Sequence, residues 1–561
     1  MSKKSSYNAN DVANYLTEAP DFINLYISDL EKQISNLSNI GLALSKEKDM
    51  SKLLEMILLE AKRIANSDGG TLYMMTDDQR LRFEIMMTDS LDFHMGGTSG
   101  KDIPFYPIKL YTDDGKPNET MMAAFVALTG QTVNIKDAYE AKGFDFSGTK
   151  MFDEKTGYRS KSFLTVPLKN HEDEIIGVLQ LLNAQSSEKE KIISFSKKVQ
   201  EMVEALASQA AVAITNKNLI KDLEALFESF IKLIASAIDE KSPYTGGHCA
   251  RVPEITMMLA DAVHNTNYGP FAKTKFSEKE LYELKIAAWL HDCGKVATPE
   301  FVVDKSTKLE TIYDRINEVG TRFVVLHRDA EIEKLNKELK IERNESLSFD
   351  QKQQEIKKLN DEFKKTIEQL KVDENFVKES NIGGEFMSPD KKERINEISR
   401  YQWQPNGEMK NFLSEDEVYN LSIARGTLTA EERKVINDHI VVTIKMLEEL
   451  PYPKHLKNVP EFAGGHHEKL DGTGYPKGLT KDEMSVQARI MAIADIFEAL
   501  TARDRPYKKG KTLSQAMRIL GFMKDDAHID VDLFDIFVKE KIYLKYADGF
   551  LEPEQIDEVK I

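Results

Sequence analysis

Residues 188–238 contain neither proline nor glycine, and that run constrains the chain more than any other. Apolar residues recur along it at helical spacing, first Val199, Met202, Val203, Leu206, Ala210 and Ala213, then Leu223, Leu226, Phe227, Phe230, Ile231 and Leu233. The spacing predicts one long helix over 188–238. Such a helix divides the chain in two, and the flanks read differently. It serves either to transmit a rotation or register shift, or as an inert spacer.

The N-terminal flank opens with helical periodicity over 10–46, carried by Ile23, Tyr26, Ile27, Leu30, Ile34 and Leu37; residues 1–40 form a separate helical segment. Residues 50–66 continue in helical style. The period then changes. Thr71 to Met75 and Leu81 to Thr88 read as strands, 89–118 as a Gly- and Asp-rich loop, and Thr120 to Leu128 as a short helix. Ser162 to Lys169 and Glu174 to Leu182 read as a hairpin about Asn170-His171-Glu172-Asp173. The predicted α/β domain spans 41–187.

From Ser242 to about Ala547 the chain reads as helical, in two parts, 239–308 and 427–545, separated by an insertion at 309–426. The Lys- and Glu-rich stretch 329–375 places Ile332, Leu335 and Leu339 on one face, and Ile356, Leu359, Phe363, Ile367 and Leu370 on another. Ser348-Phe349-Asp350-Gln351 between them fits a capping box, so a helical hairpin is expected. It is either a solvated surface insertion or an arm that contacts a partner. Residues 376–426 carry few signals beyond a turn at Trp403 to Gly407. Residues 511–561 read as helical packing.

The net charge of −17 argues against a polynucleotide partner. Two cysteines, Cys249 and Cys293, suit a reducing compartment. The N-terminus MSKKSSYNANDV has no apolar core of a signal peptide, and no run of 18 apolar residues suggests a membrane span. The expected location is cytoplasmic.

The chemistry-bearing residues lie in the helical flank: His248, His291-Asp292, His439, His466-His467 and Asp495. Each alone is weak, and adjacent histidines on a helix diverge by about 100°. Yet five of the eleven histidines sit in these stretches, several beside apolar runs. Burying so many imidazoles without partners is costly, and a shared metal site satisfies them together.

Two resemblances follow. Thr156-Gly157-Tyr158-Arg159-Ser160-Lys161-Ser162-Phe163-Leu164-Thr165-Val166-Pro167-Leu168, followed by Ile176 to Asn183, resembles the GAF domains of cyclic-nucleotide phosphodiesterases. Such domains often bind a small molecule and often dimerise, so a small-molecule ligand and a homodimer are expected. The cyclic-nucleotide motif of that family is matched only by Lys150, Phe152, Asp153 and Glu154, at different spacing. Both a ligand sensor and a purely structural dimerisation domain therefore stay open.

The order of the histidines and aspartates, with Gly474-Tyr475-Pro476, resembles the HD-GYP family, a branch of the HD phosphohydrolases. The resemblance covers about 237–308 and 427–510. It implies hydrolysis of cyclic di-GMP, either stopping at pGpG or going on to GMP, with two or three metal ions, commonly iron or manganese. By resemblance, His248, His291, Asp292 and Asp495 hold one metal. Asp292, His439, His466 and His467 hold the other, with Asp292 bridging. Two cations roughly 3.5–4 Å apart clamp the attacking and leaving oxygens of a phosphodiester. Lys295 resembles the family lysine on the scissile phosphate. Gly472 and Gly474 bend the loop, and Tyr475 reaches substrate. Arg505 contacts phosphate or pairs with a carboxylate. Some members hold a third metal through a Glu four residues before the first His; Tyr244 stands there, so two divalent ions are expected. Many members carry Asp six residues before it, where this chain has Ser242. Two other readings fit: a weakly catalytic cyclic dinucleotide receptor, and an HD phosphohydrolase for another cyclic dinucleotide such as cyclic GMP-AMP. The expected fold is α+β multidomain: an α/β GAF domain, a long linker helix, and an all-α HD-type domain with a helical insertion.

Overall fold

Alternation along extended strands builds the first domain. The computed structural model describes residues 21–186, 191–241, 247–384, 386–405, 407–503 and 510–560. They divide into two units, Met1–Ala225 and Leu226–Ile561. In the first, helices α1 (Asp21–Lys46) and α2 (Met50–Ala65) precede strands β1 (Ser67–Met75), β2 (Arg80–Thr88), β3 (Phe93–Gly96) and β4 (Ile108–Lys109). Then come α3 (Met122–Thr129), β5 (Val133–Ile135), α4 (Ser147–Thr156), β6 (Phe163–Lys169), β7 (Ile175–Gln185) and β8 (Ile192–Ile193). The sheet is antiparallel in the order β3-β2-β1-β7-β6-β5, with β4 on β2 and β8 on β7.

Successive residues of a strand face opposite layers. Leu72, Leu164 and Leu179 pack in the layer of α2, whereas Tyr73, Phe163 and Val178 pack with α3. Helix α2 starts where the Asp49 carboxylate accepts the Lys52 N–H at 2.9 Å, and stops at Asn66 in the left-handed region. The loop expected over 89–118 holds β3 and β4, and β5 and α4 were not foreseen. These elements are two to ten residues long, too short for a periodic signal.

The helix expected over 188–238 is α5, Lys197–Lys241. Its start is corrected because Ile192–Ile193 pairs with Ala184–Gln185 and Phe195 is buried in the domain core. Absence of proline and glycine permits a helix without fixing where it begins. The first turns of α5 bury Val203, Leu206, Ala210 and Ile214. Farther on, Leu219, Leu223, Leu226, Phe230 and Leu233 are all more than half exposed.

The second unit is helical: α6 (His248–Asn265), α7 (Glu278–Leu290), α8 (Ile316–Glu342), α9 (Phe349–Ile382), α10 (Pro389–Ser399), α11 (Glu415–Leu421), α12 (Ala430–Asn437), α13 (His439–Glu448), α14 (Val459–Gly464) and α15 (Val486–Thr501). Helices α16 (Leu513–Asp525), α17 (Val531–Lys539) and α18 (Ile542–Phe550) complete its core through Leu520, Phe537 and Tyr546.

Helices α8 and α9 form the expected hairpin, and Ser348 and Gln351 make the capping box. The insertion has its own core, with Val319, Phe323, Leu370, Val377, Ile395, Ile398 and Phe412. Ile332, Leu335 and Leu339 do not join it and are about half exposed, whereas Leu359 and Leu370 are buried. The stretch 376–426 is more ordered than its sequence suggests, holding α10, α11 and a two-stranded hairpin.

Candidate metal centre

Local hydrogen bonding aims each imidazole. His291 caps the C-terminus of α7, and its Nδ1 lies 2.8 Å from the Ala288 carbonyl, three residues back. His439 repeats this with Ile436 at 2.5 Å, and His466 with Ala463 at 2.6 Å. A carbonyl only accepts, so Nδ1 carries the proton in all three and Nε2 is left to ligate. His248 opens α6 behind Gly247, and its Nδ1 meets the Glu498 carboxylate instead.

The Nε2 atoms converge on Asp292, whose two oxygens face different partners. Oδ2 lies 3.2 Å from both His248 and His291 Nε2, and Oδ1 lies 3.1 Å from His439 Nε2. His248 and His291 approach within 3.3 Å, as do His439 and His467. Asp495, from α15, is 3.2 Å from His248. Three donor groups each lie within 4.8 Å: His248, His291 and Asp495; His291, Asp292 and His466; His439, His466 and His467. All seven residues expected to bind metal are thus together, and His466 falls between the two expected sets. His466 and His467 lie in a turn after α14, not on a helix, so their rings sit only 4.1 Å apart.

Charge follows this arrangement. Burial would strip the proton from His248, but Glu498, Asp292 and Asp495 outweigh it and raise its pKa well above the ordinary value. His291 is likewise held at about 9 against burial, chiefly by Asp292. At the other end, burial and neighbouring imidazoles drive His466 well below the usual range and His467 to about 4. Asp292 and Asp495 stay ionised despite burial, Asp292 chiefly through Lys295 and Asp495 chiefly through His248. The carboxylates thus hold charge that attracts a cation, His466 and His467 are in the neutral, ligating form, and a cation bound at His248 and His291 takes the place of their Nε2 protons.

A metal fits these residues. His466 Nε2 is buried without a hydrogen-bond partner among the described residues, although it is a strong acceptor pointing into a carboxylate-rich cluster. A cation satisfies it.

The glycines serve close approach. A Cβ at Gly294 would meet the His439 carbonyl at 2.0 Å, so only glycine lets the turn Cys293–Ala297 pack on α13. Gly294 N–H also donates to Thr443 Oγ at 2.8 Å. A Cβ at Gly474 would lie 2.3 Å from the Lys469 nitrogen, so Gly474 serves loop packing. Gly472 takes φ 78°. Lys295 sets its ammonium on Asp292 Oδ2, which raises its pKa against burial. The Tyr475 ring stacks on His467 with centroids 4.9 Å apart. Arg505, Ser242 and Tyr244 lie outside the described residues.

Two carboxylates were given no role from the sequence. Glu498 is fully buried, pairs with His248 Nδ1, and accepts from Arg251 at 2.6 Å. Its position one helical turn after Asp495 was the available signal. Glu468 is buried and accepts the Lys477 and Leu479 N–H groups at 2.7 and 2.9 Å, pinning the Gly-Tyr-Pro loop. Burial pushes the Cys249 thiol well up and Cys293 to about 11, which keeps both protonated and argues against redox chemistry there.

Comparison with known proteins gives two family matches, a GAF domain over residues 49–214 and an HD domain over 415–533. A 3′3′-cGAMP-specific phosphodiesterase of Vibrio cholerae is 39% identical over 107 residues, 19% of this chain and 22% of that protein. A cyclic di-GMP phosphodiesterase of Pseudomonas aeruginosa is 45% identical over 74 residues, 13% and 17%. One from Thermotoga maritima is 40% identical over 93 residues, 17% and 25%. The aligned stretches span about a quarter or less of those three relatives. No described helix is long and apolar enough to cross a membrane.

Proposed function

Starting from a GAF domain joined to a metal-binding HD domain, we propose that this chain is a phosphodiesterase that hydrolyses cyclic di-GMP to pGpG, with the further step to GMP left open. The observation that carries the proposal is Asp292, whose two oxygens face separate imidazole sets, as a carboxylate bridging two cations requires. His248, His291, Asp292 and Asp495 would hold one divalent ion, and Asp292, His439, His466 and His467 the other. Mixed imidazole and carboxylate donors suit iron or manganese. Bound divalent ions supply Lewis-acid polarisation of the phosphodiester and a water of lowered pKa.

The chain's own groups do the rest. Lys295 keeps its ammonium charged beside Asp292 and is assigned to the scissile phosphate, where a cation offsets charge developing in the transition state. Tyr475, on His467 at the edge of the centre, is assigned to substrate, as is Arg505. Complete gathering of the donor set favours an enzyme over a receptor that has lost catalysis.

Two further features support regulation. The GAF domain holds a cavity of about 500 Å³, lined by aromatic residues such as Tyr73, Phe83, Phe93 and Phe152, by the carboxylate-bearing Asp145 and, among the described residues, by no Lys, Arg or His. That lining favours an uncharged small molecule over a cyclic nucleotide. The exposed residues Leu219, Leu223, Leu226, Phe230 and Leu233 repeat in steps of four and three, the spacing of a two-stranded coiled coil, which supports a homodimer.

A second reading, cleavage of 3′3′-cGAMP, is favoured by the Vibrio cholerae relative. One experiment separates the two. Protein purified without oxygen and loaded with iron or manganese is incubated with each cyclic dinucleotide, products are separated by chromatography, and metal is quantified. The expected result is pGpG with about two metals per chain, and loss of turnover in folded His291→Ala, Asp292→Ala and His467→Ala variants. Cleavage of 3′3′-cGAMP alone selects the second reading. Intact substrates on fully metallated protein reject both.

A further inference from the structure

Lys241 is the last residue of the linker helix α5, and its side chain reaches outside that helix. Its ammonium donates to three backbone carbonyls, Lys295 O at 3.1 Å, Val296 O at 2.5 Å and Thr298 O at 2.6 Å. Three N–H donors thus meet three acceptors in one short segment.

That segment follows Asp292. The 3₁₀ turn Cys293–Ala297 is one turn and a half long, so its last carbonyls have few partners of their own. Lys295 O takes the Thr298 N–H, and the remaining acceptor capacity goes to Lys241. On its other side the turn is fixed by the Gly294 N–H on Thr443 and by contact with the His439 carbonyl. The turn is therefore held between α13, which carries His439, and the end of the linker helix. Its side chain of consequence is Lys295, whose ammonium sits on Asp292. Two residues earlier, Asp239 accepts the Cys249 N–H at 3.4 Å, next to His248, so the linker's last turn also borders α6.

We infer that Lys241 is a positioning residue for Lys295: it ties the end of the linker helix to the turn that carries Lys295 and touches none of the seven proposed metal ligands. The inference rests on the reading of this centre as a phosphodiesterase site. A displacement of the last turn of α5 would reach Lys295 first, altering the phosphate contact while the metal set stays intact. This gives the linker a specific handle on turnover. It also accounts for a lysine whose donors are spent on backbone instead of on solvent.

The test uses the full chain. Lys241→Met keeps the stem and removes the donors; Lys241→Arg keeps charge and donors. Hydrogen–deuterium exchange of peptides covering 293–298 reads the turn without relying on activity. Lys241→Met is expected to speed exchange there several-fold, leave peptides of 250–262 unchanged, and retain wild-type metal content. Its kcat should fall by about tenfold with KM within about twofold, as for a misplaced catalytic group, and Lys241→Arg should recover part of the loss. In a Lys295→Met background, Lys241→Met should cost nothing further. Unchanged exchange at 293–298, metal loss in step with activity, or multiplicative losses in the double variant would each overturn the inference. Should the wild-type chain cleave neither cyclic dinucleotide, the phosphodiesterase reading falls, while the exchange comparison still decides whether Lys241 holds the turn.

Discussion

In the GAF domain the buried Asp153 carboxylate accepts the Ser160 N–H at 2.8 Å, the Ser160 hydroxyl at 2.7 Å and the Tyr139 hydroxyl at 2.9 Å. In the HD domain the equally buried His466 has one ring nitrogen on a carbonyl and the other on nothing. Both residues place polar groups in a dry interior, but protein atoms balance Asp153 and leave His466 Nε2 without a partner among the described residues. Asp153, which the sequence offered as a remnant of a cyclic-nucleotide motif, is fully used in anchoring the turn before β6. A balanced buried polar group argues for structure, and an unbalanced convergent set argues for a ligand.

Chelation should expose this contrast most strongly. If the HD cluster is balanced by ions, removing them should lower the stability of the second unit by about 3 to 4 kcal/mol per ion for ions supplied at a hundred to a thousand times their dissociation constant. The GAF transition in calorimetry should not move. An equal shift in both transitions would break the comparison. Asp153→Ala is the reciprocal change: it strands the Ser160 and Tyr139 donors and should destabilise the GAF domain by about 2 to 3 kcal/mol, with metal content per folded chain unchanged in elemental analysis. Glu498→Gln sharpens the metal side. It weakens the partner that orients His248 and should reduce metal affinity or turnover by about tenfold to a hundredfold, without altering the far-ultraviolet circular dichroism.

The smallest effect concerns a third way of burying charge. Lys308, just before the insertion, is 1% exposed and bonds the Leu421 and Ile423 carbonyls at 2.9 Å each. With no carboxylate to offset burial, its pKa falls to about 8, the opposite of Lys295 beside Asp292. The folded chain therefore binds fewer protons than the unfolded chain between about pH 8 and the ordinary lysine value of about 10.4, so stability rises with pH across that window. Denaturant titrations of wild type and Lys308→Met should show their difference shifting toward wild type as pH rises through it. A flat difference would remove Lys308 from the comparison.

Much of this was legible in the sequence because the features were periodic or chemically dense. The strands at Thr71 to Met75 and 162–182 and the capped hairpin at Ser348 stand where periodicity and capping put them, and the seven residues that the family resemblance pointed to lie together in one cluster. What stayed hidden was non-local. Nothing near Glu498 says that His248, some 250 residues earlier, will dock on it. The strand Ile192–Ile193 is too short to declare itself against the helix that follows. That a Cβ at Gly474 would crowd the Lys469 nitrogen is equally non-local to read, because it depends on how the loop folds back on itself.

The separate core of the insertion bears on how the protein is made. His291 and Asp292 leave the ribosome before the insertion, and Asp495 follows them by roughly 200 residues, about 10 to 40 s at ordinary rates of synthesis. Through that interval the first ligands have no complete set to join, while the insertion can already collapse on Phe323, Leu370 and Phe412. The donor group that needs Asp495 is thus among the last parts of the second unit that translation completes, because it cannot close until α15 has emerged, whereas His439, His466 and His467 are already made.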